Sequence, residues 1–239
     1  MSMKAAISPL TIDVIIPAFN EENSVGKVLN DIPRELVRRI IVCDNNSSDE
    51  TASEARKNGA TVVREPRSGY GNACLKCLEF IAKSSAPYPD VVVFLDADYS
   101  DHPEQMPILI EPIQKDTFDL VIGSRALGNK EAGSMTPQQI FGNWLATRLI
   151  RWIYGLKFTD LGPFRAIRYE ALEKLEMSDR NYGWTVEMQI KAAKKGLKCT
   201  EVAVDYRRRI GQSKVSGTVK GTIGASWKIL YTIFKYSLK

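Results

Sequence analysis

Along the first half of the chain, apolar residues come in short continuous runs, and between the runs they recur at helical spacing. A short apolar run bounded by turn signals is the pattern of a strand buried on both faces, whereas a three-to-four spacing is that of a helix with one packed face. Strands are therefore expected at Ile12 to Ile16 before Pro17, Arg39 to Cys43 before Asp44, Thr61 to Arg64, Val91 to Leu95, and 118 to 123. The intervening helices have their own signals. One is capped near Asn23 or Ser24, and one opens on the S-x-x-E spacing of Ser47 and Glu50 and stops at Gly59. A third carries Cys74 and Cys77 on a buried face, and a fourth runs from about Pro103 to Gln114. Strand and helix alternate five times, which predicts an α/β fold with a doubly wound, mostly parallel central sheet flanked by helices.

The second half follows a different pattern. Phe141, Leu145, Leu149, Ile150 and Ile153 fall at helical spacing between Pro137 and Tyr154, and Gly155 ends that helix. The segment TDLGPFRAI then places Asp160 at a turn before a short strand, and GWTVEMQ places Trp184 and Glu187 at the start of another helix. From about Gly217 the pattern is again amphipathic, with Ile223, Trp227, Leu230, Phe234 and Leu238 on one stripe and Lys220, Lys228 and Lys235 off it. This divides the chain into a main domain, 1–218, and a basic amphipathic C-terminal helix, 219–239. That helix suits a membrane surface, a partner protein or the molecule's own core.

Composition narrows the class. A chain of 239 residues, 44% hydrophobic and 26% charged, suits one large soluble α/β domain. There is no signal-peptide h-region and no apolar stretch long enough to span a bilayer, so the expected location is cytoplasmic, with room for peripheral attachment at the inner face of a membrane. Four scattered cysteines and a single histidine, His102, argue against a disulfide scaffold or a zinc site. The net charge of +5 is uneven: from Lys191 onward twelve Lys or Arg face two acids, a net +10, which leaves −5 on the preceding residues. A basic end of this kind suits an anionic partner. Regular aromatic interleaving for single-strand binding is absent, so nucleic acid is not the expected one.

The chemistry concentrates at strand ends. Val91 to Glu104 reads VVVFLDADYSDHPE, so Asp96 and Asp98 leave the sheet where ligand crevices of open α/β folds lie. Two carboxylates on one short extended segment repel unless a cation joins them, and a hard divalent ion with oxygen ligands and spare positions for water or phosphate is the natural occupant. A helix cap is the plainer alternative. Asp44 ends the second strand and Arg125 follows the fifth. Neither a G-x-G-x-x-G turn nor a G-x-x-x-x-G-K-[ST] loop occurs, which excludes the usual dinucleotide and nucleoside triphosphate folds. The glycines of PRSGYGNA are expected to permit close backbone approach to a ligand.

Taken together, VIIPAFNEEN, VCDNNSSDET, DADYSDHPE, GSR and TDLGPFRAI resemble the family 2 glycosyltransferases of GT-A fold, in particular the dolichyl-phosphate mannose and glucose synthase branch. The resemblance runs from about Ile12 to Thr218 in order. It implies a UDP- or GDP-sugar donor, Mg2+ or Mn2+, and transfer with inversion. It places Pro17, Ala18, Asn20 and Glu21 along the nucleotide, Asp44 at the base or ribose, Gly71 beside the nucleoside, and Asp96 and Arg125 at the donor. Asp98 would bind the metal. Trp184, Arg209, Ser213 and Lys214 would serve the phosphate and acceptor side, the last three in YRRRIGQSKVSGT, where forked guanidinium, ammonium and hydroxyl groups suit phosphate.

A polyprenyl phosphate is the leading acceptor, reached with or without a membrane-protein partner. A hydroxyl acceptor is the alternative and would need a base, which the motif positions assign to Asp160 or Glu187. Where lipid-phosphate enzymes of the family present an arginine, this chain has Gln138 and Gln139. A nucleotidyltransferase is disfavoured by the acidic PAFNEEN segment, and a non-catalytic nucleotide-binding module by the intact Asp-Ala-Asp.

Overall fold

The computed structural model describes residues 10–84, 87–211 and 219–237. Seven strands form one sheet: β1 (Ile12–Ala18), β2 (Arg39–Asp44), β3 (Thr61–Arg64), β4 (Val91–Phe94), β5 (Leu120–Ser124), β6 (Arg165–Arg168) and β7 (Cys199–Ala203). Their spatial order is β3-β2-β1-β4-β6-β5-β7. β1 pairs in parallel with β2 and β4, β2 with β3, and β5 with β7, whereas β6 runs antiparallel between β4 and β5. The sheet is thus mostly parallel, with one inverted strand near its middle.

The apolar runs are continuous because both faces are covered. Along β1, Val14 and Ile16 enter one core and Ile15 the other; along β4, Val91 and Val93 enter the first and Val92 and Phe94 the second. The first core lies under α1 (Val25–Asp31), α2 (Thr51–Lys57) and α4 (Met106–Gln114), the last entered through a 3₁₀ turn at Pro103–Gln105. The second lies under α3 (Tyr70–Lys83), α5 (Pro137–Tyr154), α6 (Tyr169–Leu175), α7 (Trp184–Lys194) and α8 (Val219–Ser237).

One local expectation changes. Ser47 and Glu50 form no capping box: Glu50 itself precedes α2, and the Ser47 hydroxyl accepts the Asn20 N–H at 3.1 Å. A true capping box opens α5, where Thr136 and Gln139 exchange side-chain and backbone bonds. α8 packs against α5 and α7, burying Thr232 and Ile233 while Trp227, Tyr231 and Phe234 stay exposed. No described helix is long and apolar enough to cross a membrane.

At the amino end of the strands, Asp13 is fully buried and accepts hydrogen bonds from Arg38 Nε and Nη2 at 2.9 and 2.8 Å and from Arg39 Nη2 at 2.7 Å. The other end of the sheet is arranged differently.

Candidate active site

The carboxyl ends of β1, β2, β4 and β5 open onto one cleft of about 530 Å3, whose lining includes Pro17, Ala18, Glu21, Asn45, Asp96, Asp98, Arg125 and Arg209. Its first wall is a pair of loops bonded together. Asn20 adopts a left-handed backbone with φ of 53°, its side-chain oxygen accepts the Ser48 N–H at 2.9 Å, and the Glu21 N–H reaches Thr51 Oγ1 at 2.7 Å. Asp44 accepts the Ser47 N–H at 2.9 Å, and Asn45 Nδ2 bonds to the carbonyls of Glu65 and Arg67 at 3.0 and 2.8 Å. The PAFNEEN and VCDNNSSDET segments therefore act as one unit. Pro17, Ala18 and Glu21 line the cleft, with Asn20 and Asp44 fixing the loops around them.

Asp96 and Asp98, after β4, form the floor. Asp98 Oδ1 accepts the Ser100 N–H and hydroxyl at 2.9 and 2.5 Å, and Oδ2 accepts from Arg209. Asp96 has one buried oxygen with no donor, and its pKa is pushed up to about 7 by burial and the neighbouring Asp98 charge. Asp101, which is absent from the sequence-based site, lies off the cleft lining and is buried with neither oxygen bonded. Burial, then Asp96 and Asp98, push its pKa well above the usual range. The third acid of DADYSD was the available signal.

On the far side, Arg125 holds Asp160 in a fork, Nε to Oδ2 and Nη2 to Oδ1 both at 2.7 Å, and its own N–H adds a bond at 2.8 Å. Burial works against both charges, yet each stabilises the other: the Arg125 pKa is raised and that of Asp160 lowered. Arg125 also lies 4.9 Å from the Tyr206 ring centre. Asp160 is only 1% exposed and both its oxygens are occupied by Arg125, so it is positioned to orient that guanidinium, and the base role reserved for it with a hydroxyl acceptor has no free oxygen here. The adjoining turn is clamped by Arg165, which is fully buried and donates to the carbonyls of Leu161, Gly162 and Thr185.

Glu187 and Trp184 are corrected too. Glu187 is fully buried and receives bonds from Ser178 Oγ at 2.7 Å, the Asp179 N–H at 2.7 Å, Lys191 at 2.8 Å and the Tyr236 hydroxyl at 2.6 Å. Burial alone would raise its pKa, but these donors bring it down to about 2. It ties α8 to α7 and does not line the cleft. Trp184 is core, its ring 6.0 Å from that of Phe94.

The glycines of PRSGYGNA are required by close backbone packing, and Gly69 also lines the cleft. A Cβ on Gly71 would lie 2.0 Å from the Asp179 carbonyl oxygen, and one on Gly69, whose φ is 138°, would lie 2.2 Å from that of Arg180. The Asn72 N–H bonds to that second carbonyl at 3.0 Å. Ser213 and Lys214 lie outside the described residues.

Whether this floor fits a divalent cation can be judged from its own atoms. Among the described residues no three His, Cys, Asp or Glu side chains form a ready-made cage. Asp98 nevertheless has a cation, Arg209, against one oxygen, and Asp96 and Asp101 leave buried oxygens unmatched. A site with few protein ligands and excess negative charge fits an ion that completes its shell with diphosphate and water.

Comparison with known proteins agrees with this geometry. The family model described as "Glycosyl transferase family 2" matches residues 13–176. An uncharacterised glycosyltransferase of Mycobacterium tuberculosis is 37% identical over 92% of this chain and 97% of its own length. A dolichyl-phosphate hexose transferase of Haloferax volcanii is 34% identical over 89% and 90%, and an undecaprenyl-phosphate mannosyltransferase of Micrococcus luteus 31% over 87% and 88%. Among solved structures, glucosyl-3-phosphoglycerate synthase of M. tuberculosis with Mn2+, UDP and glucosyl-3-phosphoglycerate superposes with a TM-score of 0.74 at 25% identity, covering 95% of this chain and 79% of that one. The sheet with its inverted strand has the GT-A architecture, and the chain belongs to glycosyl transferase family 2 as a nucleotide-sugar-dependent glycosyltransferase.

Proposed function

We propose that the protein transfers a sugar, with inversion, from a UDP- or GDP-sugar to the phosphate of a polyprenyl lipid, with Mg2+ or Mn2+ held at Asp98. The observation that carries the acceptor reading is the absence, among the described residues, of a free carboxylate on the acceptor side: Asp160 is locked to Arg125, and Glu187, on α7, is enclosed by Ser178, Asp179 and Tyr236. A hydroxyl nucleophile needs a base, whereas a phosphate is already anionic and attacks without one. The names of the H. volcanii and M. luteus relatives support the same choice.

In this reading the β1 and β2 loops hold the nucleotide between Pro17–Ala18 and Asn45. When bound, the metal neutralises the departing diphosphate and removes the need for a general acid. Arg125, aimed by Asp160, presents a fixed positive charge to the donor. Arg209, which pairs with Asp98, would offer its guanidinium to a phosphate oxygen, and Ser213 and Lys214 would add to that contact. A hydroxyl acceptor is the second reading, because Asp96 keeps one buried oxygen without a donor and is the cleft acid placed to receive a proton.

The test is transfer of labelled sugar from UDP- and GDP-sugars with Mn2+ to a short-chain polyprenyl phosphate and, separately, to soluble alcohols and glycans. Product on the lipid phosphate is expected. Product on the hydroxyl acceptors alone would establish the second reading in its place.

A further inference from the structure

Beside the donor cleft lies a second cavity of about 440 Å3, with Met135 and Asn143 on the lining of both. One face of α5 forms its wall, since Ile140, Trp144, Arg148 and Arg151 recur every three or four residues. Lys130, from the loop after β5, and Lys157, from the loop after α5, complete it. Among the described residues none of these four cations has an ion-pair partner, and Arg148 is met only by the Trp144 ring at 5.7 Å. The one acid on the lining, Asp160, is already neutralised by Arg125.

Scattered surface lysines and arginines need no partner. Four of them converging on a concave wall that also presents Ile140, Trp144 and Phe158 make a site that attracts an anion and offers its apolar neighbour a contact. The surroundings have the same mixed character: Phe141 is 61% exposed and Trp152 82%, and α8, packed on α5, adds Trp227 at 70%. Exposed aromatics interspersed with cations are the composition of elements that lie in a membrane interface, with rings at headgroup depth and lysine or arginine tips on lipid phosphates.

We propose that this cavity takes the phosphate headgroup of an anionic phospholipid, and that the surrounding face of α5 seats the protein on a bilayer with Phe141, Trp144 and Trp152 entering the interface. The proposal rests on the lipid-acceptor reading for the presence of a membrane and deepens it by bringing the bilayer beside the cleft. α5 is the main contact, and the exposed stripe of α8 extends it.

The test is sedimentation of the full chain with phosphatidylcholine vesicles, with and without phosphatidylglycerol. Binding is expected only with phosphatidylglycerol and weakens with salt. The double variant Arg148→Gln/Arg151→Gln should lower the partition constant by about 25-fold, at roughly fivefold per cation. Trp152→Ala, at a position too exposed to disturb the core, should also weaken it. Both variants should keep wild-type thermal stabilisation by Mn2+ with UDP or GDP, which separates a lost membrane seat from a lost donor site. Intact vesicle binding with no transfer to polyprenyl phosphate would overturn the acceptor reading and leave this surface standing. Wild-type partitioning in the double variant, or binding that ignores phosphatidylglycerol, would overturn the proposal. So would stabilisation by inorganic phosphate without vesicle binding, or a dimer that Trp152→Ala dissolves.

Discussion

The two ends of the sheet handle buried charge in opposite ways. At the amino end, both oxygens of Asp13 are met by Arg38, and Arg39, at the start of β2, adds a further bond, so the buried carboxylate is fully matched although Arg39 Nε is not. At the carboxyl end, Asp96, Asp98 and Asp101 crowd into six residues, and buried oxygens on two of them, together with Arg209 Nε, lack partners. Buried polar groups are nearly always matched, so the first arrangement is what folding alone selects and the second marks a place where something else binds. The difference teaches that charge by itself does not identify a site; buried carboxylate oxygens left unmatched at the crevice end do.

Removing Asp98 gives the largest expected effect. Asp98→Ala takes away the carboxylate assigned to the metal, and steady-state turnover should fall by at least ~10²-fold. Thermal stability should hold, because Asp96 and Asp101 lose a repelling neighbour. Loss of folding in this variant would erase the distinction between the two ends.

Asp13→Ala should do the reverse. It leaves Arg38 and Arg39 without their buried counter-charge, and denaturant unfolding should report a loss of about 3–5 kcal/mol. The protein that remains folded should turn over at the wild-type rate.

Asp160→Asn sharpens the comparison at the cleft itself. As the group that orients Arg125, its loss should raise donor KM and lower kcat by up to roughly 10²-fold, with the shape of the pH–rate profile unchanged. A lost acidic limb in that profile would instead return Asp160 to the role of base.

The smallest effect concerns Glu187, whose folded pKa of about 2 lies below its ordinary value of 4.5. A depressed carboxylate stabilises the fold fully above its unfolded pKa and loses that contribution as pH falls through the folded value. Wild-type stability should therefore drop between about pH 4.5 and 2, and Glu187→Gln should flatten that acid limb in thermal melts while leaving neutral-pH turnover nearly unchanged.

Elements whose signal is local could be read from sequence. The apolar runs of β1, β2 and β4 and the position of Asp98 at a strand end follow from residues within a few places of one another, as does the packed side of α5 around Leu149, Ile150 and Ile153, whereas Phe141, expected on that side, is 61% exposed. What was misread depends on distant partners. Asp160 could be offered as a base for a hydroxyl acceptor because its guanidinium partner, Arg125, lies 35 residues away, and Glu187 because Tyr236 closes over it from 49 residues away. The antiparallel insertion of β6 is a property of strand order, which no local pattern encodes. β7 escaped notice because its half-buried CTEVA mixes polar and apolar positions at the sheet edge. Ser47 had cap spacing but was taken by Asn20.

The central claim is that the acids after β4, Asp98 with Arg209 against it and Asp96 and Asp101 with unmatched oxygens, form the site of a divalent cation carrying a nucleoside diphosphate. Isothermal titration of UDP and GDP into wild-type protein and Asp98→Ala, each with and without Mn2+, tests it directly. The account predicts that one of the two nucleotides binds wild-type protein tightly only when Mn2+ is present, and that Asp98→Ala removes this metal dependence along with most of the affinity. Equal binding with and without Mn2+ in wild-type protein, or unchanged metal-dependent binding in Asp98→Ala, would contradict it.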